Sequence, residues 1–408
     1  MTRIGTSRAV GRVLVRSVAD HDWNTPPEGI DDLVRGADLH ELPARAAFHG
    51  VTGCVHRSLR DNPLVDRDVA ERLQATHHRA ALTHAQVLAD LGTIARALDA
   101  LGVPWLVVKG PVLAESVYPR PDLRGYTDLD LVVPPAELGH VLEALEDAGG
   151  RVTDTNWDLL TSEVAGEVHV TLGRDTNVDL HWHLINVREL RDAFRIDMRE
   201  QFERARRVAL PGCTVPTLDR ADTLIHLGVH ACTSGANRLV WLKDIEQAVA
   251  DPFPWDEAVA RSRAAGTGVA VASMLLEARA VIGTRLPDGV VPAFAGARAW
   301  PVLVSSAARA LPIERTTGRR SAVRLIARST RADLRSSAST LGRRSMRALR
   351  HPLTPEPGST SAGAADPAYR HAGSRDAYLE AVARHAAPAA RTEGEVISDA
   401  RASKTWGT

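Results

Sequence analysis

Residues 109–133 read KGPVLAESVYPRPDLRGYTDLDLVV, with Asp128 and Asp130 two positions apart at the head of an apolar run. An extended strand sends alternate side chains to one face, so the two carboxylates point together while Leu129, Leu131 and Val133 anchor the other side. Paired carboxylates suggest a divalent metal site, because hard cations take oxygen ligands and Mg²⁺ commonly binds one or two carboxylates plus substrate phosphates. Taken alone, the pattern is also that of solvated turn acids beside a strand.

Residues 177–184, NVDLHWHL, alternate polar and apolar positions over a strand length. On such a strand Asp179, His181 and His183 share one face, and Leu180, Trp182 and Leu184 face the core. If this strand neighbours the first, Asp128, Asp130 and Asp179 converge. His181 and His183 would then line the cleft as acid/base or phosphate-contacting groups; the competing reading is satisfied structural histidines.

The turn Lys109-Gly110 precedes the first acidic pair. Lysine is rare here: Lys109, Lys243 and Lys404 are the three among fifty Lys plus Arg residues. A compact ammonium where arginine is the default cation suggests a point contact to a triphosphate. Gly110 lets the backbone approach a phosphate, and the helix that follows supplies amide donors. Arg124 pairs either with phosphate oxygens or with Asp122 or a backbone carbonyl.

The order Lys109-Gly110, short helix, Arg124-x-x-x-Asp128-x-Asp130, apolar run, then Asp179-Leu180-His181-Trp182 resembles the uncharacterised nucleotidyltransferase family of the DNA polymerase beta-like superfamily. The resemblance runs from about Ala46 to about Val249, and Asp-x-Asp is its most specific part. It implies an α/β (α+β) fold, a small mixed sheet flanked by helices. It also implies a metal-dependent enzyme that moves an NMP group from an NTP donor to an acceptor hydroxyl and releases pyrophosphate. The superfamily's metal-holding aspartates carry over to Asp128, Asp130 and Asp179, with Mg²⁺ the expected ion and Mn²⁺ the alternative. Catalysis would be in-line phosphoryl transfer, with Asp179 on the acceptor side and a candidate to take the hydroxyl proton. The superfamily's usual Gly-Ser is replaced by Lys109-Gly110, so the serine contact to phosphate is missing.

Residues 222–232, DTLIHLGVHAC, put His226 and His230 four apart on one face of a helix. A zinc protease would carry glutamate directly after the first histidine, and Leu227 stands there, which excludes that class. Leu224, Leu227, Gly228 and Ala231 form the packing stripe, and the histidines have no assigned role. Further on, Trp241, Leu242, Ile245 and Val249 fall at helical spacing and read as core. Lys243 and Asp244 either close over the nucleotide or form an exposed pair.

The 408 residues, 44% of them apolar, suffice for two or three domains with substantial cores. No apolar run approaches the roughly 20 residues that span a bilayer, and the N-terminus lacks a secretory signal's apolar core. Cys54, Cys213 and Cys232 are few, odd in number and widely spaced, which fits a reducing cytoplasm without disulfides. Formal charge is zero, yet residues 298–350 hold thirteen arginines against Glu314 and Asp333. That segment suits nucleic acid, an anionic surface or an acidic partner. It has no aromatic residue after Trp300, so the stacking platform of single-strand binders is missing and nucleic acid is the weaker reading.

Along the chain, residues 1–28 read as irregular, with a short strand around Arg12 to Val18, and residues 29–102 as helical. Residues 103–210 read as the catalytic domain, including a hairpin of 163–172 with 177–184. Residues 211–351 read as a helical region containing the basic segment, and residues 352–408 as linker-like and largely disordered. The acceptor, whether small molecule, peptide or protein, does not follow from these residues. The rival functions are a noncatalytic nucleotide-binding or regulatory module on the same fold, and kinase-like transfer of the terminal phosphate.

Overall fold

Strict alternation along three neighbouring strands gives the central sheet one apolar and one polar face. The strands are β1 (Leu106–Val108), β2 (Asp128–Val132), β3 (Arg151–Val152), β4 (Glu167–Leu172) and β5 (Thr176–His181), in the order β1-β2-β5-β4-β3. β2 and β5 run parallel, and the other neighbours run antiparallel. The computed structural model describes residues 2–19, 22–173, 175–296, 299–310, 312–313, 321–350, 364–365 and 372–386.

Leu129, Leu131, Val168, Val170, Val178 and Leu180 lie on the apolar face and share a core with Val87, Leu91, Ile94 and Leu98 of the Arg67–Leu101 helix. Val141, Leu142 and Leu145 of the Leu138–Asp147 helix join the same core. Each such side chain withdrawn from water contributes about 1.5–3 kcal/mol, which fixes which face turns inward. This is the mixed sheet flanked by helices that the family resemblance implied. A two-stranded ribbon, β6 (Arg206–Leu210) with β7 (Cys213–Thr217), adds Val208, Leu210 and Val215 to the core.

A second core is helical and includes the Arg220–Thr233, Leu239–Ala248 and Gly268–Ile282 helices. One buried clasp joins it to the approach to β2. Asp244, fully buried, accepts from Arg124 Nε at 2.8 Å, Arg124 Nη2 at 2.9 Å and Tyr118 Oη at 2.7 Å. Arg124 Nη1 also donates to the Gly110 carbonyl at 3.3 Å. The same guanidinium therefore ties together the helical layer, the Lys109-Gly110 turn and the segment entering β2.

Two expectations are corrected, and the expectation of a largely disordered 352–408 tail falls mostly on residues outside those described. The N-terminal segment is a helix, Thr2–Val18, with no strand around Arg12 to Val18. Val10, Val13, Leu14 and Val18 are buried at helical spacing, and that periodicity outweighs the β-propensity of the valines. The hairpin is shorter than expected, because Glu163 ends the Trp157–Glu163 helix and β4 begins at Glu167. The C-terminal tail contains a helix, Arg375–Ala386, docked on the sheet domain. Its Tyr378 is fully buried and donates to the Ala165 carbonyl at 2.7 Å, and Arg375 pairs with Glu146 at 2.7 Å. A small-residue composition concealed these two anchors; residues 387–408 lie outside the described residues. Among the described residues no helix is long and apolar enough to cross a membrane.

Removing one partner of the Arg124–Asp244 pair leaves a buried charge without its counter-ion. Asp244→Asn is expected to cost about 3–5 kcal/mol, read as a lowered urea midpoint at unchanged m-value. An unchanged midpoint would show that the clasp does not hold the two layers together.

Candidate active site

Strand register brings the site's polar side chains together. Asp130 of β2 lies opposite Asp179 of β5, with Asp128 opposite Asn177 and Val132 opposite His181. On the other side of β5, β4 sets Glu167 opposite His181 and His169 opposite Asp179. Opposed residues share a face, so Asp128, Asp130, Glu167, His169, Asp179 and His181 all project away from the apolar core.

Their contacts form one network. Lys109 Nζ lies 2.8 Å from Asp130 Oδ1, and His181 Nε2 lies 3.2 Å from the same oxygen. His181 Nδ1 faces Glu167 Oε2 at 3.4 Å. His169 Nδ1 binds the buried Asp154 at 3.0 Å, and its Nε2 lies 3.6 Å from Glu167 and 3.9 Å from Asp179. Lys109 holds a left-handed backbone, with φ 55°. In a non-glycine residue that conformation costs about 1–3 kcal/mol, and here it accompanies an ammonium aimed at Asp130.

Burial and like charges set the protonation. Asp179 is pushed up to about 7, first by burial and then by Asp130, Glu167 and Asp128. Burial also raises Asp128, with Asp130 adding to it. Burial alone would raise Asp130, but Lys109 and His181 hold it well below the usual carboxylate range. Burial works against the Lys109 ammonium, and Asp130 and Asp128 outweigh it and raise its pKa. Burial likewise opposes charging of His169, which its bond to Asp154 nevertheless raises to about 9.

Lys109, Asp128, Asp130, Glu167, Asp179 and His181 line a cavity of about 290 Å³, with His169 beside it. Its floor is the polar sheet face, and its walls are residues 184–190, the Arg220–Thr233 helix and the Ser321–Arg328 helix. Arg191 pins the first wall by donating to the carbonyls of Ile185, Asn186 and Val164. Lys109, Asp128, Asp130, Asp179 and His181, all singled out from sequence, lie on the cavity. Gly110 starts the Gly110–Ser116 helix just outside it.

Three other expected site residues lie elsewhere. β5 ends at His181, so the alternation fails and His183 turns away from the cavity. His183 is buried, accepts at Nδ1 from the Ile185 amide at 3.0 Å, and is lowered to about 3 by burial and Arg191. The same break sends Leu184, expected in the core, to the cavity wall. Arg124 is committed to Asp244 and the Gly110 carbonyl, a structural role instead of a phosphate contact. Lys243 is fully buried, paired with Glu246 and 5.1 Å from the Trp23 ring centre, so neither it nor Asp244 closes over a nucleotide.

Several residues in or beside the cavity are not assigned by the sequence. Glu167 and His169 alternate along β4 in phase with Asp179 and His181, a signal that was present in EVHVT at 167–171. His226 and His230 both reach the cavity, where burial and then Lys109 depress them, His226 to about 3. They are neutral there. Arg324 and Arg328, from the basic segment, also line the cavity.

The donor set fits a divalent cation. Ligand atoms of Asp130, Asp179 and His181 lie within 4.8 Å of one another. Asp128 lines the cavity but stands outside that group. The crowding that raises Asp179 is the repulsion a bound cation relieves. Two carboxylates with one imidazole suit a hard or borderline divalent ion.

A family described as uncharacterised nucleotidyltransferase matches residues 35–283 of the chain. The matched segment extends beyond the Ala46 to Val249 resemblance on both sides and covers β1 to β5 and the histidine helix. No curated protein matches the chain.

The histidines predict opposite pH limbs of stability. His183 is depressed from 6.5 to about 3, so its contribution is complete above pH 6.5 and is lost as pH falls toward 3. His169 is raised from 6.5 to about 9, so its contribution is complete below pH 6.5 and is lost as pH rises through 9. Urea midpoints across about pH 4–10 should show the acid-side slope reduced in His183→Gln. The alkaline-side decline should be reduced in His169→Gln; identical pH profiles for wild type and variants would contradict the assignment.

Proposed function

Since the chain belongs to the uncharacterised nucleotidyltransferase family, we propose that it moves a nucleoside monophosphate from an NTP to an acceptor hydroxyl. The observation that carries this reading is the register of Asp130 against Asp179, with His181 and Lys109 both on Asp130. The acceptor oxygen attacks the α-phosphorus, the bond to the bridging oxygen of pyrophosphate breaks, and pyrophosphate leaves with that electron pair.

Asp179 stands on the acceptor side and, as a carboxylate once a bound cation relieves the repulsion that raises it, would take the acceptor hydroxyl's proton. Lys109 supplies a compact positive charge beside Asp130, and His181 orients that carboxylate through Nε2. Neutral His226 and His230 offer hydrogen bonds without adding charge. Asp130, Asp179 and His181 would hold a divalent cation, Mg²⁺ or Mn²⁺, with Asp128 beside them. When bound, such an ion supplies Lewis-acid neutralisation of phosphate oxygens. A reducing cytoplasm is the proposed setting, supported by three unpaired cysteines.

Cell extract supplies acceptor, and labelled NTPs with Mg²⁺ or Mn²⁺ supply donor; pyrophosphate release and the mass added to the acceptor are measured together. Asp130→Asn should reduce release by about 100-fold or more. Addition of a whole nucleotide supports the proposal, and addition of a single phosphate would replace it with kinase-like transfer. Labelled nucleotide bound without any release, in wild type and variant alike, would favour a noncatalytic module. Lys109→Arg should raise KM for the NTP more than it lowers kcat, because a guanidinium does not fit where the compact ammonium meets Asp130.

A further inference from the structure

The Ser321–Arg328 helix lies beyond the family-matched segment, yet it forms one wall of the cavity. We propose that Arg324 and Arg328 on this helix are a polyphosphate seat for the NTP donor, an inference that rests on the nucleotidyltransferase reading above.

Charge balance motivates it. Asp128, Asp130, Glu167 and Asp179 line the cavity together with Lys109. A cation on this floor would offset part of the acidic charge, and a polyphosphate carries more negative charge than one such ion neutralises. Arg324 and Arg328 bring further positive charge to the lining of the same cavity. They stand four apart on the helix, so both guanidinium groups share one face one turn apart. Arg328 is 2% exposed and Arg324 half-buried, which strengthens their pull on an anion over that of surface arginines. The planar guanidinium also matches phosphate oxygens two at a time.

The wall is built into the fold. Gly235 has φ 82°, and a Cβ there would come 2.8 Å from Arg324 Cβ, so the helix backbone seats against a glycine that leaves room for it. Past the helix end, Thr330 Oγ1 accepts from Trp300 Nε1 at 2.9 Å, and Arg331 pairs with Glu189 at 2.8 Å. Arg344 pairs with the same Glu189. Glu189 belongs to the Arg188–Arg191 helix, whose Leu190 lines the cavity, so the arginine wall is fastened to its neighbour.

The test measures binding of ATP, AMP and inorganic tripolyphosphate to the full chain by calorimetry, with Mg²⁺ present. Arg324→Ala and Arg328→Ala should each weaken ATP and tripolyphosphate about ten- to a hundredfold while AMP affinity holds. Arg324→Lys should recover part of the loss, because it keeps the charge and loses the fork. Gly235→Ala, which displaces the helix and leaves both arginines in the chain, should also weaken ATP more than AMP. If Arg328→Ala does not fold, Arg328→Lys and Arg324→Ala carry the comparison. Wild-type protein that binds ATP and tripolyphosphate, with both affinities unchanged in the arginine variants, overturns the seat and leaves the transferase reading standing. Wild-type protein that binds neither ligand removes both.

Discussion

The parallel pairing of β2 with β5 is the constraint on which the site depends. A shift of one residue in that register would move Asp179 off the face that carries Asp130 and put Leu180 or Val178 in its place. Parallel neighbours cannot be joined by a tight turn. The chain between them is therefore long, and it is used to build the Leu138–Asp147 helix, the Trp157–Glu163 helix and β4. β4 then returns beside β5 and adds Glu167 and His169 to the same polar face. One topological requirement thus both aligns the aspartates and supplies their neighbours.

An acidic face of this density is electrostatically costly without compensation. The fold compensates in two ways. Lys109 and His181 neutralise Asp130 directly, while Asp179 retains its proton up to about pH 7. The strained backbone at Lys109 is held by its surroundings, since Arg124 grips both the Gly110 carbonyl and Asp244 of the helical layer. That clasp transmits the position of the helical core to the turn that carries the ammonium. Histidines 226 and 230, deep in the same layer, remain neutral because burial and Lys109 both oppose their charging.

Much of the polar sheet face was legible in the sequence, and the reason is period two. Alternation placed Asp128 with Asp130 and Asp179 with His181, and the structure brings all four to one cavity. The same rule failed at His183, because a strand's end is not encoded in its alternation; β5 stops at His181 and the next residues bend. Arg124 and Lys243 each carried a nucleotide-contact reading beside a structural one. The partner of Arg124, Asp244, is set by helix packing that local spacing does not report, whereas Lys243 pairs with Glu246 one turn along its own helix and only its burial was decided by packing. The tail helix escaped for a related reason, since one tyrosine and one arginine anchor it within a stretch of small polar residues.

A family resemblance pointed to a mixed sheet flanked by helices; the sequence by itself determined which side chains alternate and where β2 and β5 carry their carboxylates. Those are properties of a single element, and the local backbone period dictates them. Only the tertiary structure decided that Asp130 meets Asp179 and that His226 and His230 reach the same cavity. It also decided that a helix more than a hundred residues downstream of β5 brings two arginines to the cavity lining. Contacts between residues so far apart in the chain arise from burial of the apolar faces of separate elements, and no local spacing records which of those faces meet.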